Sequence, residues 1–111
     1  MTQLLWTDFT PFPDPRKGDY LSAPFGPGVY ELRNMNTGEL IYVGEGKNTA
    51  SRMSSLLPAP FGDGTRNNAP LRVYIFTNLM AIEYRTLACS SKKIAKQIQD
   101  EMIAKNKYLF N

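Results

Sequence analysis

The sequence predicts an α+β domain, a small and mainly antiparallel sheet flanked by helices. Three observations predict it. Short runs rich in β-branched and aromatic residues are bounded by turn formers, two later stretches repeat apolar residues at helical spacing, and 111 residues suit one domain. The order reads strand, strand, helix, strand, strand, helix.

Residues 1–25 carry Pro11, Pro13, Pro15 and Pro24 among Trp6, Phe9, Phe12, Tyr20 and Phe25. Proline denies this stretch a regular helix or a central strand, and so many aromatics suit a buried face better than a solvated tail. The stretch is therefore expected to be an extended arm packed over a domain spanning 26–111. Binding of a partner protein through the arm is the other reading.

Val29-Tyr30-Glu31-Leu32 and Leu40-Ile41-Tyr42-Val43 read as two strands around the turn-forming Asn34-Met35-Asn36-Thr37-Gly38. With the hairpin centred near Asn36, Leu32 falls opposite Leu40 and Tyr30 opposite Tyr42, so the tyrosines share one sheet face. Asn48 or Thr49 caps a helix in which Ala50, Met53, Leu56 and Leu57 recur until Pro58, with Arg52 beside that stripe. A loop runs from Pro58 to Pro70. Leu71 to Thr77 and Ile82 to Cys89 then read as two further strands on their β-branched and aromatic content. Ser90 or Ser91 caps the last helix, whose apolar stripe is Ile94, Ala95, Ile98 and Met102.

Composition narrows the chemistry. Thirteen Lys and Arg against ten Asp and Glu give a net charge of +3, which permits binding to a polyanion without demonstrating it. Histidine is absent, excluding Ser-His-Asp and Cys-His triads and any histidine-ligated metal. The single Cys89 cannot form an internal disulfide and no charged-then-apolar leader is read, so a reducing, cytoplasmic setting is expected. No apolar run approaches the roughly 20 residues of a membrane span.

Without histidine, proton transfer falls to Tyr, Lys, a carboxylate or water. Phosphodiester hydrolysis requires a base for water, a cation near the nonbridging oxygens and, in most enzymes, a metal on the leaving group. Tyr30, Tyr42, Lys47 and Arg52 can supply the first two. A tyrosine, with an ordinary pKa near 10, serves as base only where a cation or metal-bound hydroxide favours its ionised form. The plainer reading makes the tyrosines a packing pair and Arg52 a solvated charge.

Gly28-Val29-Tyr30, Tyr42-Val43-Gly44 and then Arg52 together resemble the GIY-YIG nuclease domain, over residues 26–111. The resemblance implies a DNA endonuclease, a hydrolase using Mg²⁺ or Mn²⁺. A tyrosine of the motifs is its base, the arginine contacts the scissile phosphate, a late-helix glutamate binds the cation and a late asparagine supports the site. Tyr30, Tyr42 and Arg52 take the catalytic roles, with Lys47 and Asn111 supporting. Which tyrosine is the base stays open.

The late-helix spacing matches Ala95, Gln99, Ile103 and Asn111, so the metal-ligand position holds Gln99, an amide. At about 100° per residue, Asp100 is turned away by about 100° and Glu101 by roughly 160°, so neither replaces it in the same helix register. Glu45, beside the second motif, is the remaining carboxylate. Three readings stand: a natural binding protein without activity, a metal site rebuilt on Glu45, or a Glu-to-Gln inactivation. A non-catalytic DNA- or protein-binding module on the same fold is thus the alternative to a nuclease. Arg66, Asn67, Arg72 and Lys96, with the late-helix Lys92 and Lys93, are candidates for a phosphate-contacting rim, against ordinary surface charge.

Overall fold

The computed structural model describes residues 5–13, 21, 23–54, 56 and 69–111. The elements are β1 (Thr10–Pro11), β2 (Gly28–Asn34), β3 (Leu40–Gly46), α1 (Thr49–Ser54), α2 (Ala69–Thr77), a 3₁₀ turn (Leu79–Ala81), β4 (Ile82–Ala88) and α3 (Lys92–Lys105). The four strands form one antiparallel sheet in the order β1-β4-β2-β3. It is an α+β fold, as the sequence predicts.

The β2–β3 hairpin is displaced from the expected register. Tyr30 lies opposite Gly44 and Leu32 opposite Tyr42, with a bulge between Leu32 and Arg33. The cause is the turn. Asn34 Oδ1 accepts from the N–H groups of Asn36 (2.9 Å) and Thr37 (3.3 Å), while Gly38, at φ 76°, donates to Asn34 O at 2.8 Å. This side-chain-stabilised turn centres the loop later in the chain than Asn36. Because the displacement is two residues, the face is preserved, and the Tyr30 and Tyr42 rings meet diagonally with centroids 6.1 Å apart.

Leu71 to Thr77, expected as a strand, belongs to helix α2. Leu71, Ile75 and Leu79 are buried while Val73 and Phe76 are exposed, a period of four that a strand cannot present to one core. Tertiary burial overrides the β propensity of Val73, Tyr74, Ile75 and Phe76. Asn78 ends the helix by donating from its backbone N (3.0 Å) and Nδ2 (2.9 Å) to Tyr74 O.

Each sheet face has its own core. Tyr30, Leu32, Tyr42, Ile82 and Tyr84 pack with Phe12, Met53 and Leu56 and with Leu71 and Ile75 of α2. On the other face Val29, Val43 and Leu87 pack with Ala95 and Tyr108, joined by Trp6, Ile98 and Met102. Ser91 caps α3, its side chain accepting from Ile94 N. Ile94 itself, expected in the buried stripe, is 40 % exposed. The stripe runs Ala95, Ile98, Met102, and a residue one step before it is rotated by about 100°.

The flanks of β4 and β3 are each covered by an outlying stretch of chain. Thr7 N donates to Thr86 O and Phe12 N to Ile82 O, each at 2.9 Å, along the outer edge of β4. On β3, Leu109 N donates to Leu40 O at 3.2 Å and Phe110 N to Ile41 O at 3.1 Å. Such cover removes the open ladder that would recruit another strand. The arm is further tied by stacking, with Arg85 over the rings of Trp6 and Phe9 and Arg33 over Phe9.

Candidate active site

Three glycines make room for the side chains singled out in the sequence. A Cβ at Gly44 would collide with Cζ and the hydroxyl of Tyr30, and one at Gly46 with Cγ of Arg52. One at Gly28 would collide with Thr49 Oγ1 and Leu87 O, so the start of β2 sits against α1 and β4. Residues two apart on a strand share a face. Tyr42, the tip of Tyr30 over Gly44, and the stem of Arg52 over Gly46 are therefore ranged along one face of β3. Gly46 escaped the sequence reading, although its alternation with Gly44 was the available signal.

Tyr30 is fully buried and Tyr42 nearly so, whereas Arg52 is exposed. Arg52 lines an open cleft of about 430 Å³ with Glu45, Gly46, Lys47, Asn48, Ser51 and Lys92. Asn48 caps α1, its Oδ1 accepting from Ser51 N at 3.1 Å, and so positions the helix that carries Arg52. Lys92, one of the late-helix rim candidates, reaches from the first turn of α3 to Glu45 Oε1 at 3.3 Å. Its partner lies 47 residues away, and no local pattern announces the pair.

Gln99 and Asn111 meet at the motif residue between Tyr42 and Gly44. Gln99 Nε2 donates to Val43 O at 3.2 Å and Asn111 Nδ2 to the same oxygen at 3.0 Å, while Asn111 Oδ1 accepts from Val43 N at 2.8 Å. The tail carrying Asn111 is anchored by Tyr108, whose hydroxyl donates to Glu31 Oε2 at 2.5 Å. Glu31 Oε1 accepts from Arg85 Nε at 2.8 Å. Burial and the Glu31 carboxylate push the Tyr108 phenol well above its ordinary range.

The other candidates are dispersed. Glu101 lines a separate groove between the arm and α3, with Trp6, Phe9 and Met102. Lys96 pairs with Asp100 on the exposed side of α3 at 3.0 Å, and Arg72 is half-buried on α2. Arg66 and Asn67 lie outside the described residues.

Comparison with known proteins bears on the fold. No family model and no curated protein sequence matches the chain. Among solved structures it is similar to the GIY-YIG N-terminal endonuclease domain of UvrC from Thermotoga maritima bound to its catalytic magnesium. Identity is 25 %, the TM-score 0.59, and the match covers 80 % of this chain and 86 % of that one. A tyrosine-to-phenylalanine mutant of the same domain, also bound to its catalytic divalent cation, matches with the same values. The fold is GIY-YIG-like.

Whether this GIY-YIG-like domain offers a cation the donors it needs is decided by charge. Magnesium favours carboxylate oxygens in strict octahedral geometry. Gln99 offers a neutral carboxamide whose nitrogen is engaged with Val43 O. Glu45 Oε2 is buried with no hydrogen-bond partner among the described residues, but Oε1 of the same carboxylate faces the Lys92 ammonium. No group of three or more His, Cys, Asp or Glu side chains placed to hold a metal occurs among the described residues. These donors do not fit a carboxylate-held divalent cation. Among the described residues no helix is long and apolar enough to cross a membrane.

Proposed function

We propose that this GIY-YIG-like domain binds DNA through its phosphates, in a cytoplasmic setting, and that the fold's phosphodiester hydrolysis is held back at Gln99. The observation that carries this reading is the alignment of Tyr30 over Gly44 and Arg52 over Gly46 on one face of β3. The alignment puts both side chains on the one face of β3, with Arg52 opening to the cleft and the Tyr30 ring buried further along the strand.

In this reading Arg52 binds the phosphate as a planar fork of donors, with Lys47 beside it as a second cation. In the same reading a tyrosine, Tyr30 or Tyr42, is the base that takes a proton from attacking water once the bound phosphate and its cations favour ionisation. What the chain lacks is charge on the leaving-group side, where Gln99 is neutral. Asn111 supports the site by holding the Val43 peptide, and hence the frame of β3, in place.

The second reading is a non-catalytic module using the same cleft. The engagement of Gln99 with Val43 O favours it, since the amide here serves a backbone contact.

Plasmid nicking with Mg²⁺ or Mn²⁺ tests both, comparing the chain as it stands with Gln99→Glu and with Gln99→Glu combined with Tyr42→Phe. Calorimetric titration with Mn²⁺ gives a readout independent of turnover. Cutting gained with Gln99→Glu and lost with the tyrosine establishes a nuclease scaffold silenced at one ligand. Cutting by the unaltered chain overturns the assignment of Gln99. No cutting by any of the three, with salt-dependent DNA binding retained, establishes the binding module.

A further inference from the structure

The segment tied to the turn that lines the cleft carries an aromatic ring that the hydrolytic reading does not use. Phe25 is 85 % exposed. Its backbone is nevertheless held on both sides. Pro24 O accepts from Ala50 N at 2.9 Å, and Gly26 O accepts from Thr49 N and from Thr49 Oγ1, each at 3.0 Å. The carbonyls flanking Phe25 are thus tied to the first turn of α1, the segment that contributes Asn48, Ser51 and Arg52 to the cleft.

That first turn has no backbone donors to spare for an anion. Thr49 N and Ala50 N are taken by Gly26 and Pro24, and Ser51 N by Asn48 Oδ1. An anion in the cleft is met by side chains instead: among the described residues, Lys47, Arg52 and Lys92 line it with the carboxylate of Glu45.

We infer that Phe25 is a stacking platform for an unpaired nucleobase whose neighbouring phosphate lies in the Lys47, Arg52 and Lys92 cleft. The inference rests on the phosphate-binding reading above and adds a ligand class to it, single-stranded DNA or the frayed or flapped end of a duplex. Every base has a π face, but away from its ends an intact duplex covers both faces with neighbours, so along its length only an unpaired base can cover the ring. The adjoining cations select a polyanion over an apolar partner surface. The tied backbone lets the ring accept a base without the chain first having to order itself.

Fluorescence anisotropy with the full chain tests this, using a labelled oligothymidine and a blunt duplex of equal length across a salt titration. Phe25→Ala is expected to weaken single-strand binding by about 5- to 150-fold, the range for loss of one base stacked on an aromatic. Duplex affinity and the salt slope stay unchanged, whereas Lys47→Ala lowers the slope on both ligands by the share of one phosphate contact. Phe25→Trp retains single-strand affinity. Because the ring is exposed, thermal melts of Phe25→Ala should match the parent. An equal effect of Phe25→Ala on both ligands, or none, overturns the platform and leaves the cleft standing. Absence of salt-dependent binding to either ligand by the parent overturns both readings.

Discussion

The side-chain amide of Asn111 is paired with the backbone of Val43 at two points, accepting from its N–H at 2.8 Å and donating to its carbonyl at 3.0 Å. A carboxamide has the donor and acceptor geometry of a peptide, so Asn111 continues the cover that Leu109 and Phe110 lay along β3. The edge held this way is the stretch that carries Tyr42 and Gly44.

Asn111→Ala is expected to cost about 1–3 kcal/mol in urea denaturation, the scale for leaving one buried donor unsatisfied. The Val43 carbonyl keeps Gln99, whereas its N–H loses the partner described for it. Asn111→Asp should cost more, because a carboxylate accepts from the N–H but repels the carbonyl.

The two strand glycines should separate stability from binding. Gly44→Ala drives a methyl into the buried Tyr30 phenol and should destabilise by about 1–3 kcal/mol, read as a lowered melting temperature. Gly46→Ala meets Cγ of the exposed Arg52 side chain, which must rotate away, and should destabilise by about 1 kcal/mol, less than Gly44→Ala. Its larger effect falls on DNA affinity, expected to drop about tenfold as the guanidinium is displaced, the scale of one charge-assisted hydrogen bond.

Alkaline stability should report the Tyr108 to Glu31 bond. The folded phenol titrates above its ordinary value of 10.0, so the stability it confers is complete below that pH and is lost as pH rises toward the folded value. The slope for one proton is at most about 1.4 kcal/mol per pH unit. Tyr108→Phe should flatten this decline in denaturation curves taken from pH 9 to 11. At neutral pH it should cost about 1–3 kcal/mol, because buried Glu31 Oε2 loses its donor.

Lys92 should oppose any cation placed near Glu45. Gln99→Glu combined with Lys92→Ala is expected to bind Mn²⁺ more tightly than Gln99→Glu alone in calorimetric titration. Loss of the pair should matter little to stability, within about 1 kcal/mol, since the Lys92 side chain is 57 % exposed. Equal Mn²⁺ affinity in the two variants would count against an electrostatic role for Lys92.

Local spacing determined a good part of this protein. The hairpin strands, the Ser91 cap, the Ala95, Ile98, Met102 stripe and the tyrosine motifs around the turn all depend on neighbours within a few residues, which sequence displays directly. The helical period of Leu71, Ile75 and Leu79 was also there, but the β-branched and aromatic residues between them pointed the other way until packing decided. Tertiary structure alone could bring Lys92 to Glu45, Gln99 and Asn111 to one peptide, and Phe25 to the turn carrying Arg52. Those meetings depend on how helices dock on a sheet and how outlying stretches of chain cover its flanks. Contacts between residues tens of positions apart leave no period in the chain, because they are selected by the burial and hydrogen bonding of the whole fold.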